Sequence, residues 1–485
     1  MKPIISRITR LLPDQSLVCI LGSDVIPESL RLSKTEKEFA TKRLAQKEDH
    51  VFVNSYYKST YLIRLKEGLP HHRIREDLRR TAYNIRSLIK TNNHEELVIT
   101  SSDAYKGAVE DFCEGLMLSC YSFDKYKTKP VNNGHKTYPS SVLLHGDLDE
   151  RDIRWLTSAV DAVWFARDLI NEPVNYLNAP ALAEEIRKFG LSAGLRVEIL
   201  NKGKIEALKM GGLLAVNKGS VDPPVFCILE WHPENCINKN PYVLTGKGIV
   251  YDTGGLNIKT GDYMSGMKGD MAGAAVVAGA MSVIARAGLP LHVVGLIPAT
   301  DNRPGGNAYT QGDIITMHNN TTVEVGNTDA EGRLILADAI SYSSRYSPEL
   351  IINVATLTGS AAMTFGSQAI AMMGNADDKY FSLLNFSGED VFERVARLPF
   401  WEEYGEMLKS DVADIGNIGG REAGAITAGK FLESFTEYPF IHLDIAGTIS
   451  LKKDDYYRLK EGTGTGLRLL STFFRRMVDN YPGKE

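Results

Sequence analysis

With 485 residues, 43% of them hydrophobic and 24% charged, the chain has ordinary soluble composition and enough length for two or three domains with substantial cores. Its net charge of -5 gives no electrostatic reason to expect nucleic acid or an anionic membrane as the main partner. The five cysteines, Cys19, Cys113, Cys120, Cys227 and Cys236, are odd in number and form no CxxC pair, which points to a reducing compartment and excludes a structural zinc knuckle.

At the amino terminus, Arg7, Arg10 and Pro13 interrupt the apolar run a signal peptide needs, so the expected location is cytoplasmic. Up to about residue 150 strand and helix patterns alternate. SLVCILGS, YLIRLK, ELVIT and SSVLLHG read as strands, and HHRIREDLRRTAYNIRSLIKTNN reads as a basic amphipathic helix with a solvated charged face. His71 and His72 are no metal pair, because adjacent residues diverge on a helix. A connecting helix from Asp152 to Ile170, apolar at Leu156, Val160 and Val163, is stopped by Pro173. Beyond it, ALAEEIRKFG, LRVEIL, GGLLAVNKGS and PPVFCILEW alternate helix and strand, as a mainly parallel sheet requires. The longest apolar stretch, Met271 to Ala285, is rich in Gly and Ala and too short to span a bilayer.

The stretch from Tyr242 to Ala275 is unusual. An apolar run that reads as a buried strand contains Lys247 and ends on Asp252, and Lys259 and Asp270 follow before a small apolar helix. An ammonium inside an apolar strand must be paired, neutralised or bound to something. In a second stretch, Val323 to Ile340, a strand-like run ends in a loop and a helix begins; Asp329 and Glu331 sit two apart in the loop with Arg333 two later, so extended backbone there would point them the same way. Taken singly, Asp270 also reads as a helix N-cap, and Asp252, Asp329 and Glu331 as turn residues. Together, four carboxylates at the carboxyl ends of two strands of one sheet occupy the usual position of an α/β site, and their repulsion calls for a counter-cation. Oxygen-rich donors without histidine suit Mg²⁺ or Mn²⁺, and Zn²⁺ also accepts carboxylate and amine. His442 is read as structural.

The segments GKGIVYDTGG, NIK, GDMAGAA and NTDAEGRL, with ARDLINEP, ATLTGS and HLDIAGT, resemble the leucyl aminopeptidases, two-metal cytosolic exopeptidases. The resemblance covers the carboxyl-terminal two-thirds and implies an α/β fold in two parts. These are a small, macro-like amino-terminal α/β domain over residues 1–150, for assembly or access, and a catalytic domain over 173–485 with a mainly parallel sheet, joined by a helix at 151–172. It implies one divalent ion on Lys247, Asp252, Asp270 and Glu331 and a second on Asp252, Asp329 and Glu331. Lys259 would be the electrophile facing the oxyanion, and Arg333 would hold a bicarbonate that shuttles the proton. Met267, Thr356, Leu357, Gly359 and Ala446 would line the pocket for a leucine-like first residue of a peptide with a free amino terminus. A homohexamer is implied too. From the carboxylates alone, a two-metal phosphoesterase stays open, as does a non-catalytic scaffold or nucleic-acid-binding protein retaining the site.

Overall fold

Residues 2–128 and 138–479 are described by the structure, a computed structural model, and the chain falls into two units. One takes the residues up to Val160 together with Lys453–Leu459; the other takes Asp161–Lys452 and the residues from Lys460 on.

In the first unit the strands are β1 (Ile4–Ile8), β2 (Leu17–Leu21), β3 (His50–Ser55), β4 (Lys58–Arg64), β5 (Glu96–Ser102) and β6 (Ser141–His145). They form one sheet in the order β1-β6-β5-β2-β4-β3, parallel except for the β3–β4 hairpin. β2, LVCIL, is buried at every position, the signature of a strand covered on both faces. The helices are α1 (Lys34–Ala45), α2 (His71–Thr91), α3 (Ala108–Ser119) and α4 (Glu150–Asn171), within which the division between the units falls. A capping box of Ser33 and Glu36 starts α1, which, like β1 and β3, has no counterpart in the sequence expectations.

The basic helix α2 needs a correction. Its apolar face buries Leu78, Ala82, Ile85 and Ile89 as expected, but Arg79 is only 1% exposed. Its guanidinium lies 2.6 Å from Asp111 and 2.5 Å from Glu114, both on α3. A group that cannot shed its charge is tolerated there because two acids neutralise it, so this part of the basic face is an interior network. His71, at the start of α2, packs edge-on against Tyr105.

The second unit contains, in chain order, α5 (Ala179–Ser192), β7 (Arg196–Leu200), α6 (Lys202–Ala207), α7 (Gly211–Asn217), β8 (Val225–Trp231), β9 (Tyr242–Gly246), β10 (Gly248–Asp252) and α8 (Ala272–Arg286). There follow β11 (Val293–Asn302), β12 (Ile314–Thr316), β13 (Thr322–Glu324), α9 (Glu331–Ser343), β14 (Leu350–Ala355), α10 (Gly359–Phe365), β15 (Ile370–Gly374), β16 (Val395–Arg397), β17 (Ile415–Gly416) and β18 (Phe440–Asp444). The large sheet runs β16-β15-β18-β14-β9-β11-β8-β7, with β10 paired to β11. Its centre, β18-β14-β9-β11, is parallel, as are the β10–β11 and β15–β16 pairs, while β7–β8, β8–β11 and β15–β18 are antiparallel, so the sheet is mixed with parallel pairs in the majority, in line with the helix–strand alternation. The β7–β8 and β8–β11 neighbours run opposite ways, a pairing that alternation alone does not encode.

Two further corrections bear on the site. The single strand expected over residues 242–252 is two strands, broken at Lys247. β9 pairs with β14 and β11, and past the break β10 keeps only β11, so the chain leaves β14 at the lysine. The run before Asp329 is the short β13, which belongs to a separate three-stranded sheet with β12 and β17. Helix α8 with the turn before it, Met267–Arg286, passes a length and apolarity test for a membrane span but is 89% buried as a core helix.

Candidate metal centre

Four segments deliver the charged side chains. Lys247 sits at the break between β9 and β10, Asp252 at the end of β10, Asp270 ahead of α8, and Glu331 at the first position of α9, two residues after Asp329. Gly254 and Gly255 follow Asp252 with φ of +87° and +65°, a turn L-residues resist, and it brings Lys259 back over the strand end. A second glycine effect is spatial: a Cβ at position 332 would stand 2.3 Å from Cε of Lys247, so only glycine lets α9 pass over the lysine stem. Asp270 is not the N-cap of α8, since the cap is Met271 and no side chain caps it. Nor do Asp329, Glu331 and Arg333 align on extended backbone; Ala330 caps α9, and Glu331 and Arg333 are helical.

Oxygens of Asp252, Asp329 and Glu331 lie within 4.8 Å of one another. Each of two ammonium groups is set between two carboxylates. Lys247 Nζ is 2.8 Å from Asp270 and 2.9 Å from Glu331, and it donates to the Thr356 carbonyl at 2.9 Å. Lys259 Nζ is 2.8 Å from Asp252 and 2.5 Å from Asp329. Burial opposes the charge on both lysines, but the facing acids outweigh it and raise both pKa values. Burial also raises Asp270, Asp329 and Glu331, and the Asp252 charge adds to it at each. Thr356 Oγ1 donates to Asp270 at 2.7 Å, and Gly254 N and Asn302 Nδ2 donate to one oxygen of Asp252 at 2.8 and 2.9 Å.

The donor set fits a divalent cation. Glu331 Oε2 is fully buried with no hydrogen-bond partner, while the ion pair of Glu331 with Lys247 is made through its other oxygen, Oε1. A buried carboxylate oxygen left in this state is costly unless something positive is bound there. The cluster opens into a cavity of about 670 Å³ whose lining includes Lys247, Asp252, Lys259, Asp270, Asp329 and Glu331 as well as Met267, Thr356, Leu357, Gly359 and Ala446.

Arg333 is the expected site residue that does not line that cavity. It is buried on α9, and Nη1 donates to the carbonyl of Asn417 at 2.7 Å, while its Nε–H has no acceptor. Burial lowers its pKa to about 10, which leaves it cationic at neutral pH. His442 is fully buried on β18, hydrogen-bonded through Nδ1 to Asn353, and burial with the nearby Arg333 charge pushes it down to about 3. Sequence reasoning missed Asn302, at the end of β11, whose Nδ2 donates both to Asp252 and to the Thr328 carbonyl, and Tyr309, whose hydroxyl donates to the same carbonyl. A polar residue at the carboxyl end of the strand LHVVGLIPATDN was the available signal.

The family model described as "Cytosol aminopeptidase family, catalytic domain" matches residues 164–471. The chain belongs to the cytosol aminopeptidase family. A probable cytosol aminopeptidase of Geobacter sulfurreducens is 44% identical over 376 residues, 76% of this chain and 75% of that one. One of Chlorobium phaeobacteroides is 40% identical over 431 residues, 84% and 85% of the two chains. Among solved structures, the bottromycin maturation enzyme BotP in complex with Mn superimposes with a TM-score of 0.83 at 28% identity, covering 96% of this chain and all of that one. The protein is therefore a metal-dependent aminopeptidase, and the phosphoesterase and non-catalytic readings are set aside.

Proposed function

We propose that this aminopeptidase removes leucine-like residues from peptides with a free amino terminus, at two divalent ions in the cavity between β10 and α9. The observation that carries the reading is the convergence of Asp252, Asp329 and Glu331 within 4.8 Å beside a buried, unpartnered Glu331 oxygen. Lys247, Asp252, Asp270 and Glu331 would hold one ion, and Asp252, Asp329 and Glu331 the other. As a ligand, Lys247 must be the neutral amine, a state that replacing its ion pairs with nearby dications would enforce. Bound there, the ions would supply Lewis acidity to the scissile carbonyl and to the attacking water. Manganese is supported by the Mn complex of BotP, and zinc and magnesium remain compatible with the donors.

Lys259, kept cationic by Asp252 and Asp329, is proposed to face the oxyanion of the tetrahedral intermediate. Arg333 is proposed to hold a bicarbonate that would serve as proton acceptor, and its acceptor-free Nε–H supports an anion there. Met267, Leu357 and Ala446 offer apolar surface for the first side chain, with Thr356 and Gly359 at the wall. The amino-terminal α/β part, macro-like and ending near residue 150, is proposed to act in assembly, as a homohexamer, or in access. A cytoplasmic location is proposed on the names of the relatives.

The test is Asp329→Asn, assayed on a panel of amino-acyl anilides with Mn²⁺, Zn²⁺ or Mg²⁺, with metal per chain counted in parallel. Turnover should collapse and bound metal fall. Full metal occupancy with normal turnover would sink the two-ion assignment.

A further inference from the structure

A second set of metal-type donors lies at the other end of the large sheet. β8 and β11 are antiparallel, with Trp231 opposite Val293 and Glu230 opposite Val294. Continuing that register by one residue puts His232 across from His292. Because strand side chains alternate, Glu230, His232 and His292 then share one face of the pair. The rings of His232 and His292 stack at 3.9 Å, and His292 Nε2 is 3.0 Å from Glu230 Oε1. All three residues present a donor atom within 4.8 Å of the others.

The backbone beneath is held. Buried Asn238 accepts from the His292 N–H at 2.8 Å and donates to its carbonyl at 3.0 Å, while Trp231 Nε1 donates to the Leu289 carbonyl at 2.8 Å. Thus His292 is fixed by the loop that leaves β8, and His232, the exposed member, is free to open the ring stack. Arg196 reaches the other Glu230 oxygen at 3.4 Å from an exposed position. β11 is 10 residues long and ends at Asn302, against Asp252, so the two donor sets stand about 30 Å apart along one strand.

We propose that Glu230, His232 and His292 bind one transition-metal dication, with Zn²⁺ the cation their chemistry suits, and that this ion cross-links β8 to β11 outside the catalytic cavity. Two imidazoles and a carboxylate are borderline donors that favour zinc over magnesium or manganese, and three protein ligands leave a position for water. The ion takes the place of the direct contact between His292 Nε2 and Glu230 Oε1. Since binding requires the two strands to be paired, it adds to the stability of the folded state and leaves peptide hydrolysis alone.

The experiment uses the full chain and Zn²⁺ itself. Parent, His232→Ala and Glu230→Gln are equilibrated with Zn²⁺ and the zinc per chain is measured by atomic emission; the difference between proteins is the readout, so the result does not depend on how many ions the catalytic cavity holds. Each variant should carry one zinc fewer than the parent, with kcat/KM unchanged. With Mn²⁺ present, added Zn²⁺ should raise the Tm of the parent by more than that of His232→Ala, and should still raise that of Glu331→Gln, whose catalytic ligand set is impaired. His232 is exposed, so its variant should fold as the parent does. Equal zinc content in parent and His232→Ala, or an equal Tm rise in both, overturns the proposal.

Discussion

Replacing Asn302 with alanine tests whether the cavity depends on a residue that touches neither substrate nor, in the ligand set proposed, metal. Asn302 is fully buried, and its Nδ2 joins Asp252 at the end of β10 to the Thr328 carbonyl beside Asp329. Both acceptors keep another donor after the change, Gly254 N for Asp252 and the Tyr309 hydroxyl for Thr328, so neither is orphaned. The direct loss is one hydrogen bond to a charged group, about 1.5–3 kcal/mol, and one neutral bond, about 0.5–1.5 kcal/mol. The larger consequence is positional: Asp252 is freed to rotate, and groups that orient metal-binding carboxylates typically contribute about 10- to 100-fold in metal affinity. Asn302→Ala should therefore require roughly 10- to 100-fold more Mn²⁺ for half-maximal activity, with near-normal rate once saturated. Activity against Mn²⁺ concentration, with bound metal counted by dialysis, measures this, and circular dichroism checks folding. A folded variant whose Mn²⁺ dependence matches the parent would refute the argument that Asn302 aims Asp252.

Lys259→Ala should lower kcat by roughly 10²–10³ with a smaller change in KM and normal metal content, as removal of one oxyanion donor does; a proportionate loss of metal would instead make Lys259 a support of the carboxylates. Arg333→Ala should lower kcat moderately and abolish any stimulation by added bicarbonate, whereas an equal bicarbonate response in parent and variant would exclude the anion-holding role. Asp338, fully buried where it accepts from Leu213 N and His318 N, is pushed up to about 7 by burial. Because its folded pKa lies above the unfolded value, its contribution favours folding at low pH and is lost as pH rises from about 4 to about 7, on the order of 3–5 kcal/mol. Asp338→Asn should flatten the denaturant midpoint across that window, and an unchanged slope would show that the carboxylate ionises normally.

Much of the cavity was legible because its signals are local. A lysine in an apolar run, a carboxylate before Gly-Gly, and Asp329 with Glu331 in one octamer are anomalies against strand and turn chemistry, and each stands out over a few residues. The resemblance of NTDAEGRL and GKGIVYDTGG to an aminopeptidase added chemistry that those anomalies alone leave open between peptide and phosphate esters. Periodicity likewise marked β2, β4, β5, β6 and the helices α2, α4 and α5, since burial on one face or on both writes itself into consecutive residues. What periodicity lacks is the partner. The break at Lys247 exists because β14 stops pairing there, and β13 lies in a small sheet because its neighbours are β12 and β17. Arg79 is buried because acids on α3 meet it, and Arg333 turns to Asn417 because α9 starts two residues before it. The return of Lys453–Leu459 to the first unit, the double role of Asn302 and the facing of His232 with His292 depend on residues tens to hundreds of positions apart. Those pairings are set by strand register and by which helix covers which sheet face, quantities fixed only when the whole chain packs.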